Sequence, residues 1–225
     1  MRVAITGSSG LAKTIIDTLE ATPADGKVIQ VFSNRIEDII TNGENWWGWE
    51  YDVLINFAHD DFEQTKILEL AHNAWKDDES KYIINFSSRA AQPNISKGYL
   101  YAAAKASLNH LANNYQYNSD KKYKMTTLCL GLLNSPMPSV SRQEVAGLVH
   151  KLITSYPDLE VAELTLQAHH NYQGVQLLKS LQRGEINLRK FFRSMDRVLR
   201  KQQKITAIPR KFHGYIKDIW VLQLK

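Results

Sequence analysis

Up to about residue 165 the chain alternates short, almost unbroken apolar runs with stretches whose apolar residues recur at helical spacing. The runs predict strands at 2–5, 27–32, 53–57, 82–86, 125–130 and 159–164. The periodic stretches predict helices at 11–20, 36–40, 62–75, 100–115 and 142–155, set apart by turn chemistry such as Pro23-Ala24-Asp25-Gly26. Strands that are continuous rather than alternating in apolar character are buried on both faces, as in a parallel sheet covered by helices. The expected fold is therefore α/β, a doubly wound, Rossmann-like parallel sheet with flanking helices. Between the second and third strands lie only one short helix and the cluster Trp46-Trp47-Gly48-Trp49, so a strand or helix of the usual pattern is expected to be missing. The cluster reads as cover for a sheet edge or an interface, against a platform for a base or sugar.

After residue 168 the pattern changes to basic, helix-like segments at 172–183 and 188–204. The expected domains are a Rossmann-fold unit at 1–168 and a basic, mainly helical C-terminal extension at 169–225. The net charge of +5 hides this division. Residues 1–178 carry 15 basic against 20 acidic side chains, net −5, and residues 179–225 carry 13 against 3, net +10. Leu188, Phe191, Phe192, Met195, Val198 and Leu199 form one apolar face and leave a basic one. That face reads first as solvated charge on a helix packed against its own domain or a sister subunit. Contact with nucleic-acid phosphates is the competing reading, although no nucleic-acid module is recognisable.

A length of 225 residues, 44% of them hydrophobic, is enough for a sizeable core and excludes a disordered, collagen-like or metal-stapled chain. The single cysteine, Cys129, lies in an apolar run and reads as a buried reduced thiol, which points to a reducing, cytoplasmic setting. No apolar run is long enough to cross a membrane, and neither a signal peptide before Val3 nor a membrane partner is expected. His72, His110 and His169-His170 lack ligand spacing with acidic residues, so no metal is expected.

Candidate chemistry begins directly after the first strand with Thr6-Gly7-Ser8-Ser9-Gly10-Leu11-Ala12. Small residues there let the backbone turn tightly and bring a pyrophosphate to the helix N-terminus, the competing reading being a tight turn with no ligand. The second strand ends in Ser33-Asn34-Arg35, without the acidic residue that selects NAD. An arginine there pairs with a 2′-phosphate, favouring NADP over NAD, unless it only caps the next helix. Tyr101 and Lys105 stand one helical turn apart, and an ammonium beside a phenol lowers the tyrosine pKa towards the working range. Ser88 supplies a hydroxyl at the end of the neighbouring strand, able to stabilise charge on a substrate oxygen.

Together these residues resemble the short-chain dehydrogenase/reductase superfamily over about residues 2–164. The resemblance implies that Tyr101 is the catalytic acid/base, that Lys105 lowers its pKa and binds the nicotinamide ribose, and that Ser88 orients the substrate carbonyl. Leu130-Gly131-Leu132-Leu133-Asn134-Ser135-Pro136-Met137 is similar to the family's Pro-Gly-x-x-x-Thr-x-Met segment, which makes Gly131, Leu133 and Ser135 nicotinamide contacts. Asn56-Phe57-Ala58-His59 stands in place of Asn-Asn-Ala-Gly, which makes Asn56, Phe57 and Ala58 cofactor contacts, with Asn56 also tying central strands together. Arg142-Gln143-Glu144-Val145-Ala146 resembles the helix after the substrate loop. A homodimer or homotetramer is also implied, with a dimer formed through the helices at 62–75 and 100–115.

Several residues depart from that pattern. The glycine turn is one residue short and ends in Ala12, and His59 replaces a glycine, where it either stacks on the adenosine half of the cofactor or obstructs it. The asparagine of the family's proton relay has no clear match; Gln64 is one candidate and Asn73, a surface residue by pattern, the other. Asp60-Asp61 reads as a cap for the helix beginning near Phe62 rather than an acid/base pair. Substrate contacts fall in 92–98 and after Met137, with Asn94, Ile95 and Tyr99 as candidates. The function expected is an NADP-dependent oxidoreductase acting on a carbonyl or alcohol carbon of a small molecule. The alternative is an inactive or weakly active scaffold of the same fold, working as an interaction protein through its basic tail. A nucleotide-sugar epimerase or reductase is a third reading, for which the tail is small.

Overall fold

The computed structural model describes residues 1–23, 28–92, 99–135, 139–154 and 160–168. Along them run β1 (Arg2–Thr6), α1 (Leu11–Ala21), β2 (Gln30–Asn34), α2 (Ile36–Asn42), β3 (Val53–Asn56) and α3 (Glu63–Trp75). The second half continues with β4 (Tyr82–Ser88), α4 (Tyr99–Asn118), β5 (Lys124–Leu130), α5 (Arg142–Thr154) and β6 (Glu163–Leu166). All six strands are parallel, in the order β2-β1-β3-β4-β5-β6.

Side-chain alternation explains why the strand runs are apolar throughout. Val3 and Ile5 of β1 pack with Ile15 and Leu19 of α1 and Val145 and Val149 of α5. Ala4, between them, joins Leu54 and Ile83 against Ile39, Ile67 and Leu108 from α2, α3 and α4. Each strand thus feeds two cores, and a polar residue on either face would be buried. The doubly wound sheet expected from the sequence is the one observed.

Some boundaries move. The second strand starts at Gln30, and the sixth is Glu163–Leu166, later than expected; residues 24–27 and 155–159 lie outside the described residues. Neither Asp60 nor Asp61 caps α3, whose first residue Glu63 instead donates its N–H to the Asp60 carbonyl at 2.8 Å. The chain turns through Asp61 at φ 36°, so backbone rather than carboxylate meets the helix. At α5, Ser141 Oγ accepts the Glu144 N–H at 3.2 Å while Glu144 Oε2 accepts the Ser141 N–H at 2.7 Å, a reciprocal cap readable as Ser-x-x-Glu.

The interval before β3 holds α2 and two tight turns, Gly43–Asn45 and Trp47–Glu50, and β2 ends the sheet. Packing accounts for most of the tryptophan cluster. Trp46 is buried edge-on against Trp49 at 4.7 Å, Trp49 meets Trp75 at 5.9 Å, and the indole N–H of Trp75 donates to the Trp49 carbonyl at 2.8 Å. Trp47 alone of the cluster is largely exposed. Gly48 lies against the Trp46 ring, and a Cβ there would overlap the indole. Gly48→Ala is expected to destabilise the fold by about 1–3 kcal/mol, measured by urea denaturation, because the ring has no room to retreat.

Cys129 is free and buried. Among the described residues no helix is long and apolar enough to cross a membrane. No cluster of His, Cys, Asp or Glu suited to a metal ion is found there either. The chain divides into two units, Met1–Gln173 and Gly174–Lys225. The helices expected at 172–183 and 188–204 lie outside the described residues.

Candidate functional site

In an open parallel sheet the ligand crevice lies beyond the carboxyl ends of the strands where the winding reverses, which here is between β1 and β3. Gly7, at φ 89°, adopts the left-handed region, and its missing side chain leaves room beside Ala58, whose Cβ would be 3.4 Å from a Cβ at Gly7. Gly10 precedes α1 with no side-chain cap, so first-turn N–H groups stay available to an anion. Thr6 is fully buried and accepts the N–H groups of Phe57 and Ala58, each at 2.8 Å. It fixes the exit of β3 rather than facing a ligand.

Two clefts open along this edge. The first, about 460 Å³, is lined by Gly7 and Ser8, by Ser33, Asn34 and Arg35 at the end of β2, and by Ala58 and His59. Glu37 also borders it. Ser33 Oγ donates to the Gly7 carbonyl at 3.1 Å, joining the strand end to the glycine turn. Arg35 forms no ion pair among the described residues.

The second cleft, about 260 Å³, is lined by Leu11, Ser88, Tyr101, Lys105, Gly131 and Leu133, and by His59 and Phe57. Ser88 ends β4, where its Oγ accepts the Ala90 N–H at 3.1 Å and donates to the Leu130 carbonyl at 3.5 Å. Tyr101 sits in the first turn of α4, 39% exposed. One turn later Lys105 is buried, its Nζ 5.7 Å from the centre of the Tyr101 ring. The sequence-predicted trio of Ser88, Tyr101 and Lys105 is thus brought to one cleft.

Behind that cleft lies an amide network. Lys105 Nζ donates to the Phe86 carbonyl at 2.8 Å and to Gln64 Oε1. Gln64 Nε2 donates to the carbonyls of Asn56 at 2.8 Å, Phe57 at 3.3 Å and Phe86 at 3.3 Å. Those carbonyls fix the amide with its oxygen towards the ammonium. Asn56, wholly buried, donates through Nδ2 to the Gln64 carbonyl at 2.9 Å and to Asn85 Oδ1 at 3.1 Å. Asn56 therefore ties β3 to β4 and α3 and lines neither cleft, so it is not brought to the cofactor contact expected of it, its side chain being engaged within the core. Burial without a carboxylate partner pushes the Lys105 pKa down to about 8.

Of the two asparagine substitutes, Gln64 meets Lys105, and Asn73 is exposed on the outer side of α3. A signal was present in the sequence: Gln64 shares the buried side of α3 with Ile67, Leu68 and Ala71, at helical spacing. His59 stands edge-on to Tyr101, ring centres 4.7 Å apart. Burial first, then the charge of Lys105, lowers its pKa, with Asp61 and Asp60 acting the other way. Ser9 and Ser135 line neither cleft, and the Ser135 N–H donates to Ser139 Oγ at 2.9 Å. Tyr99 is 83% exposed and also lines neither, while Asn94, Ile95 and Met137 lie outside the described residues.

Comparison with solved structures finds this fold repeatedly among short-chain dehydrogenases. Serine dehydrogenase from Escherichia coli is 15% identical, with a TM-score of 0.56 over 74% of this chain and 97% of its own. An alcohol dehydrogenase from the archaeon Thermococcus sibiricus, complexed with 5-hydroxy-NADP, is 17% identical, with a TM-score of 0.59 over 75% of this chain and 97% of its own. An NADH-dependent reductase complexed with NAD is 20% identical, with a TM-score of 0.52 over 75% and 95%. Residues 183–225 match the family described as polymerase A arginine-rich C-terminus. No curated protein sequence matches the chain. The N-terminal three quarters of the chain has the short-chain dehydrogenase/reductase fold.

Proposed function

We propose that this fold serves here as an NADP-dependent oxidoreductase, moving hydride between nicotinamide and a carbonyl or alcohol carbon of a small molecule in a reducing, cytoplasmic setting. The observation that carries the reading is the meeting of Ser88, Tyr101 and Lys105 in one 260 Å³ cleft at the carboxyl edge of the sheet. The glycine turn and the uncapped start of α1 fit the diphosphate of a dinucleotide, and the cofactor supplies hydride when bound. In reduction the carbonyl carbon gains the hydride and the oxygen takes the Tyr101 proton. Lys105, held as an ammonium by Gln64 and Phe86, stabilises the phenolate left behind. Ser88, whose bond to Leu130 is long, turns its hydroxyl to the substrate oxygen.

The preference for NADP rests on Arg35, in the first cleft with no ion pair among the described residues. Arg35→Ala is expected to weaken NADPH binding about tenfold and leave NADH binding unchanged, as read by calorimetry. Screening small aldehydes and ketones for oxidation of NADPH tests the activity itself, and no turnover with any of them by protein that binds NADPH counts against it. The outer sides of α3 and α4 are the proposed dimer surface, and a monomer by light scattering would exclude it.

The match of residues 183–225 favours a second reading, in which the tail is an interaction element. That segment holds 12 basic and 3 acidic residues, a balance suited to the phosphates of a nucleic acid. Binding of the full chain to single-stranded RNA should then fall steeply with salt and be lost when Arg189, Arg193, Arg197 and Arg200 become Gln. Salt-independent binding, or none, rejects it.

A further inference from the structure

His59 lines both clefts, and no other described residue does. Arg35 borders the first cleft; Tyr101 and Lys105 border the second. A dinucleotide laid from Arg35 to Tyr101 must place its linking diphosphate where the two clefts meet. A second feature marks the same junction: Gly7 and Ser8 line the first cleft and Leu11 the second, so the glycine turn and the uncapped start of α1 border it as well. An imidazole and free helix N–H groups thus adjoin the place where two phosphates would lie.

We propose that His59 is a phosphate ligand of the bound dinucleotide and takes up a proton when the cofactor enters. This rests on the cofactor reading given above and deepens it. The groups facing His59 set the balance: Lys105 and Tyr101 from α4, Asp60 and Asp61 from its own turn, and Arg35 and Glu37 across the first cleft. Without cofactor, burial and Lys105 favour the neutral ring. The diphosphate reverses that preference, because its negative charge stabilises the imidazolium. Proton uptake and cofactor binding are then linked, so affinity rises as pH falls through the imidazole range.

Isothermal calorimetry of NADH and NADPH binding, in two buffers of different ionisation enthalpy, counts the protons taken up. NADH is the decisive probe, since it lacks the 2′-phosphate, which titrates in the same range. Wild-type protein is expected to take up part of a proton with NADH, about a quarter on average between pH 6 and pH 8, and so to bind it about threefold more tightly at pH 6 than at pH 8, whereas His59→Gln and His59→Gly take up less and show a flatter profile. Equal proton uptake by wild type and His59→Gln overturns the proposal and leaves the cofactor reading standing. Tighter binding by His59→Gly at pH 6 also overturns it, since the ring would then be an obstruction. Failure of wild-type protein to bind either cofactor removes both.

Discussion

Tyr101→Phe is expected to lower hydride transfer to a carbonyl substrate by about 10²–10⁴-fold while leaving NADPH affinity nearly unchanged. The substitution removes one proton donor and little volume. Tyr101 is 39% exposed in the cleft, where its ring meets His59, and that contact survives in phenylalanine. The same chemistry sets a pH limit. Lys105 stabilises phenolate only while it is an ammonium, and its pKa is about 8 in the folded protein. Turnover should therefore fall as pH rises above 8, and Tyr101→Phe should lose that limb with its activity. Stopped-flow nicotinamide absorbance under single-turnover conditions separates this step from product release. A Tyr101→Phe variant with unchanged rates would remove the residue from the reaction.

Gln64→Leu should cost the fold about 3–5 kcal/mol, more than an ordinary surface substitution. It leaves the buried Lys105 ammonium on the Phe86 carbonyl alone and removes the side-chain donor from three carbonyls at once. The loss depends on pH in a definite direction. Since the folded-state pKa of Lys105 is lowered from 10.5 to about 8, the ammonium's burial cost is fully present below 8 and is relieved as pH rises towards 10.5. Removing the Gln64 acceptor lowers the Lys105 pKa further, so the part of the Gln64→Leu defect that comes from the ammonium should shrink as pH rises towards 8 and be gone above it. Urea denaturation at neutral and alkaline pH measures it, and a defect constant with pH would mean that Gln64 supports the carbonyls and not the ammonium.

How far the sequence carried these conclusions differs from residue to residue. The unbroken apolar strands revealed a sheet buried on both faces, because burial on alternate sides forces both parities of each strand to be apolar. Tyr101 and Lys105 were legible because helix geometry fixes their spacing, and Ser88 because a strand end fixes its place. The partner of Lys105 was left between two candidates, since nothing in a single sequence says which polar residue of α3 a long lysine side chain will reach. Asp60 and Asp61 misled: both favour caps, but the left-handed turn at Asp61 gave the role to a backbone carbonyl. Ser135 matched a motif position yet lines neither cleft, because a motif aligns residues in order and cannot place a loop in space. His59 was visible as a departure, while its position at the junction of two clefts depends on the whole carboxyl edge of the sheet.

The central claim is that this carboxyl edge holds a nicotinamide dinucleotide. Titration of the purified full chain with NADPH, followed by tryptophan quenching and energy transfer to the nicotinamide, tests it most directly. The account predicts saturable binding with a Kd of about micromolar order, weaker for NADH. An absence of binding by both cofactors up to millimolar concentration would contradict it.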